Sequence, residues 1–131
     1  MKAKPRLPPL LRQPPDQHLV MPSDAAILTE LANGILARVQ RRVDFLHLPM
    51  PREHDDAYFV PLHGLRLPLD ACLYLGLIHH ADEAGDRRRI ATARTVTPRF
   101  GVATECGWGR ADPTRVTGLL ASHRRAIDAL A

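Results

Sequence analysis

Aromatic residues are scarce in this chain: three Phe, two Tyr and one Trp make up 5% of its 131 residues. Aliphatic side chains must therefore fill the core. Cysteine is nearly absent too. Cys72 and Cys106 stand far apart and form no CxxC pair, which excludes a disulfide scaffold and makes a reducing cytoplasm the expected compartment. No stretch approaches the ~20 apolar residues of a membrane span, so no membrane partner is expected. The basic start, MKAKPRLPPLLRQPPD, has apolar runs too short for a secretory signal. No internal repeat is visible. A complete eight-fold βα barrel takes ~250 residues, more than this chain has.

Hydrophobic residues make up 45% and charged residues 24%, the range of a globular domain. The net charge of +4 comes from arginine clusters at Arg38, Arg41 and Arg42, at Arg87, Arg88, Arg89 and Arg94, and at Arg124 and Arg125. These fall on expected helices, where a charge run reads as a solvated face. No aromatic residues interleave with them, so a nucleic-acid partner is not expected.

Five of the twelve prolines lie in residues 1–20. That segment reads as a basic, extended and disordered arm ahead of a folded portion over residues 21–131. Ser23 is the expected cap of a helix over about 24–41, with Ile27, Leu28, Leu31, Ile35, Leu36 and Val39 as its inward stripe. Val43 to Leu48 reads as a short strand. Residues 49–70 carry prolines that argue against regular structure, and a loop of that length is often functional. Leu73 to His79 reads as a buried strand in which Gly76 signals close packing or a kink. A helix over about 85–96 follows, with Ile90, Ala93 and Val96 inward and its arginines outward. A strand from Phe100 to Thr104 comes next. The last helix starts at Asp112-Pro113, with Val116, Leu119, Leu120, His123, Ile127 and Leu130 as its apolar stripe. Strands alternating with helices indicate an α/β chain built from parallel βα units.

Chemistry concentrates at FGVATECGWGRA, residues 100–111, where a strand ends in a polar, glycine-rich corner before a helix. Ligands in α/β folds gather at the C-terminal ends of strands. Cys106, close to a helix start, is either a thiolate ligand or nucleophile, or a small residue at a tight turn. Glu105 reads as a base or polar clamp. Strand alternation sends Glu105 and Cys106 to opposite faces unless the chain turns between them. Trp108 either stacks on a planar ligand or covers the site. Arg110, with Gly107 and Gly109, either holds an anion or completes a structural turn. His47 and His79 each end a strand on the same expected face. In the long loop, His54, Asp55 and Asp56 form either a cation-binding or a solvated segment, anchored by Tyr58 and Phe59.

The motifs HLPMPR, DDAYF, LGLIH and GVATECGWGR, spread over about residues 18–128, resemble the C-terminal part of barrel proteins in the cobalamin-independent methionine synthase superfamily. The resemblance implies the last three or so βα units of a partial (βα)8 TIM barrel. It implies methyl transfer to a thiol, with a small thiol or acid as substrate and zinc as cofactor. Cys106, followed by Gly107, matches the family's last zinc ligand, and His47 lies near the position of another. His79, with His80 beside it, matches a candidate proton donor, and Glu105, Trp108 and Arg110 flank the same corner. The His-x-Cys pair that supplies the family's first two zinc ligands has no counterpart here. The resemblance therefore also fits a non-catalytic chain that completes a partner barrel or self-associates.

Overall fold

A computed structural model of the chain describes residues 22–131; the Pro-rich arm expected over 1–20 lies outside them. Three strands, β1 (Phe45–Pro49), β2 (Cys72–Ile78) and β3 (Gly101–Thr104), form one parallel sheet in the order β1-β2-β3. Among the described residues three α-helices accompany it: α1 (Ala26–Leu36) precedes β1, α2 (Glu83–Val96) links β2 to β3, and α3 (Val116–Leu130) follows β3. The molecule is a mixed α/β protein whose consecutive strands run side by side in one direction.

Register fixes the two faces. Leu48 pairs with Leu75, and Leu75 with Val102. Leu73, Leu75 and Leu77 point with them into a core shared with Phe59, Leu62, Ile90, Ala93 and Ala126. On the other face His47 pairs with Tyr74, and Tyr74 with Gly101. There the rings of Phe45 and Tyr74 pack edge to face with their centroids 6.1 Å apart, and Phe45 remains 62% exposed. A parallel sheet is normally covered on both faces; this one is covered by its own described residues on one.

Gly76 meets the expectation of close packing. A Cβ there would come within 2.8 Å of Glu105 Cα and 2.9 Å of the Thr104 carbonyl. Those are backbone atoms that cannot swing aside, so the missing side chain lets the end of β3 bend over β2. The pairing of β2 with β3 shifts register between Leu75 and Ile78 at this point, and Leu77 and Ile78 are consequently both buried.

Several expectations are corrected. α1 is shorter than 24–41, and the Asp24 carboxylate, not Ser23, accepts its first amide, from Ala26 at 2.8 Å. The helix buries Thr29 and Ala32 and leaves Ile27, Leu31 and Ile35 exposed. Among the described residues the helix packs on the 49–70 segment, and the small residues allow the closest approach there. That segment is not irregular: Asp56–Gly64 forms a 3-10 helix capped by Asp55, whose carboxylate accepts the Tyr58 amide. Tyr58 and Phe59 anchor it, both buried. Asp56 accepts the Thr92 hydroxyl at 2.8 Å, so His54, Asp55 and Asp56 tie the loop down instead of forming a cation cage. α3 likewise buries Leu119, Ser122 and Ala126, while Leu120 and Ile127 stay exposed. The arginines of α2 are not all outward, because Arg89 is fully buried.

Candidate functional site

The C-terminal ends of β2 and β3 enclose a small recess of about 40 Å³, lined among others by His79, His80, Glu105, Cys106, Trp108 and Arg115. That volume suits one or two water-sized groups. β3 ends at Thr104 and the chain bends at once. This bend supplies the turn that strand alternation demanded, so both Glu105 and Cys106 reach the recess. Thr104 fixes the corner, since its hydroxyl donates to the Cys106 carbonyl at 2.8 Å and accepts the Trp108 indole N–H at 3.0 Å.

His79 is the deepest polar group of the recess, 7% exposed. Its Nε2 lies 3.0 Å from the Met50 carbonyl. A carbonyl only accepts, so Nε2 carries the proton and Nδ1 keeps a lone pair. Nδ1 faces the Glu105 carboxylate at 3.9 Å, too far for a direct hydrogen bond. Burial, aided by the Arg89 charge and opposed by the Met50 contact, lowers the His79 pKa to about 4. At neutral pH the ring is uncharged, with a proton-accepting nitrogen aimed at a carboxylate.

A buried network holds this ring in place. Arg89 donates from Nε to the Leu77 carbonyl at 2.7 Å, and from one terminal nitrogen to the Arg52 carbonyl and the Asp82 carboxylate, each at 2.8 Å. Its other terminal nitrogen donates to Asp86. The same Asp86 oxygen accepts the His79 backbone amide at 3.0 Å. Arg52 in turn donates to the His80 carbonyl at 3.0 Å. Burial pushes the Asp86 carboxyl above its usual range, against the amide and guanidinium that favour its charge. Desolvation is the largest single influence on Asp82 and raises its carboxyl, but the Arg89 hydrogen bond and charge, the Arg52 charge and the Gly85 amide together outweigh it and hold the group below its usual range. This network, absent from the sequence reading, ties the ends of β1 and β2 to α2. Its available signal was the spacing of Asp82, Asp86 and Arg89 at i, i+4 and i+7, one side of a helix.

The structure thus brings together His79, Glu105, Cys106 and Trp108. Trp108 covers the recess, packing edge-on to His123 at 5.8 Å. The Arg110 side chain lies outside the described residues. His47 is not part of the recess lining; it crosses Gly76 on the open face, where its Nε2 bonds the Thr104 carbonyl at 3.0 Å. Among the described residues no three His, Cys, Asp or Glu side chains converge as metal ligands. Zinc takes at least three protein ligands, so the expected pairing of Cys106 with His47 does not assemble a zinc site from these residues. Among the described residues no helix is long and apolar enough to cross a membrane.

No family model, no curated protein and no solved structure matches this chain.

Proposed function

We propose that the chain is the three-strand closing portion of a βα barrel of the cobalamin-independent methionine synthase-like type, and that its recess handles the proton of a small thiol during methyl transfer. The observation that carries this reading is the buried, neutral His79 with its Nδ1 turned toward Glu105 inside a recess at the strand ends. A thiol seated there loses its proton to Nδ1 or to the Glu105 carboxylate. The thiolate attacks the methyl carbon of the donor, the bond from methyl to donor breaks with its electron pair on the donor, and the abstracted proton returns to that atom. The recess admits only the reacting atom, so the rest of the substrate lies outside it. No step runs through a metal, because the described donor set does not fit one.

The test is titration of the full chain with homocysteine and with its hydroxyl analogue, observed by the NMR signals of the His79 ring. Saturable shifts with the thiol, abolished by Glu105→Gln, support the reading. Unmoved His79 signals sink it. A second reading, a non-catalytic chain that completes a partner barrel, is favoured by the uncovered sheet face at Phe45 and Tyr74, and unmoved signals would leave that reading standing.

A further inference from the structure

The ridge of α1 is an apolar surface that neither the core nor the recess uses. Ile27 and Leu31 are each 61% exposed, Ile35 52% and Val39, in the turn beyond the helix, 39%. They recur every four residues along one line. The opposite side of the helix is fastened to its own chain: the Asn33 amide donates to the Gly64 carbonyl, the Arg66 amide donates to the Asn33 side chain, and the Ala25 amide donates to the Tyr58 carbonyl. The ridge is therefore presented on a fixed element.

We propose that α1 is a self-association surface on which a second copy of this chain docks its own α1, antiparallel, about a two-fold axis near Gly34. Two observations select a second copy over another occupant. The first is charge. Glu30 and Arg38 stand four residues on either side of Gly34 and flank the ridge with opposite signs. An antiparallel pair centred there sets each Glu30 beside the partner's Arg38, twice over. Within one chain, the Arg38 guanidinium contacts the Gly34 carbonyl at 3.0 Å, and neither Glu30 nor Arg38 has an ion-pair partner among the described residues. The second is shape. A Cβ built on Gly34 would meet only the tip of Arg38, at 3.6 Å, so the glycine opens the crossing point once that side chain turns to the partner. Rows of side chains four residues apart interdigitate with an identical row at a crossing angle of about −50°, the commonest helix-packing class. A two-fold contact of this kind is self-limiting and closes as a dimer. The proposal uses no recess residue and stands apart from the functional reading.

Sedimentation velocity and native mass measurement on the full chain test it at micromolar concentration. The expected result is a dimer whose dissociation constant rises at least about tenfold in Leu31→Glu. Glu30→Arg alone weakens the dimer, and the double variant Glu30→Arg with Arg38→Glu restores it. All three positions lie on the surface, and far-ultraviolet circular dichroism verifies that the variants fold. A monomeric parent chain overturns the proposal, as does a dimer indifferent to Leu31→Glu. A double variant no tighter than Glu30→Arg overturns the antiparallel arrangement.

Discussion

Acidification from pH 7.5 to pH 5 is expected to destabilise the protein through His79. The folded ring has a pKa of about 4, whereas an unfolded histidine has one of about 6.5. Between these values the unfolded chain binds more protons than the native one, so stability falls as pH falls through this window. The whole difference corresponds to about 3 kcal/mol, of which about 2 kcal/mol is lost by pH 5. The raised pKa of Asp86 acts in the opposite sense, because the native state then takes up a proton above the usual carboxyl range. The lowered pKa of Asp82 matters only nearer pH 4 and below. The His79 share is therefore read as a difference. Urea unfolding of the parent chain and of His79→Gln is measured at pH 7.5 and at pH 5. Glutamine keeps an N–H for the Met50 carbonyl but cannot take up a proton. The parent should lose about 2 kcal/mol more than the variant between the two conditions. Equal losses would mean that His79 is not desolvated as its burial implies, and that the recess holds no neutral base.

Asp86→Ala leaves the fully buried Arg89 with one carboxylate partner and frees the His79 amide; a loss of about 3–5 kcal/mol in unfolding free energy is expected, and a loss under about 1 kcal/mol would show the network to be unimportant. Gly76→Ala presses a methyl group against the Glu105 backbone at 2.8 Å and should cost about 1–3 kcal/mol, with the His47 and Cys106 NMR signals displaced; an unchanged melting temperature would refute the close approach. Ala81 has φ of 55°, the left-handed region that penalises a Cβ. Ala81→Gly should leave stability unchanged or raise it by up to about 1 kcal/mol, against the usual loss for such a change.

Much of the fold was legible in the chain because neighbouring residues carried it. The continuous apolar run at 73–79 marks a strand with a buried face. The alternation of strands and helices gives a parallel sheet. Gly76 inside a strand announces a close backbone approach, and the turn at residues 105–107 places Glu105 and Cys106 at one strand end. Other features were not legible. Prolines at 49, 51, 61 and 68 suggest irregularity, but the Asp55 cap and the buried Tyr58 and Phe59 stabilise a 3-10 helix among them. Arg89 sits in a run of three arginines that looks like solvent-facing charge. It is buried because two α2-side carboxylates and two strand-end carbonyls converge where its side chain enters.

His47 shows the same division. By sequence it ends a strand on the same expected face as His79, but the register sets it beside Tyr74 on the open face, where it meets the Thr104 carbonyl outside the recess. The stripes of α1 and α3 show it most plainly. Periodicity determined that Ile27, Leu31 and Ile35 share one side of a helix, because side-chain direction follows from the helical repeat alone. Which side meets a neighbour depends on what the rest of the chain places beside the helix, and only the tertiary structure decided that the small residues Ala25, Thr29 and Ala32 would be buried and the larger ridge left outside.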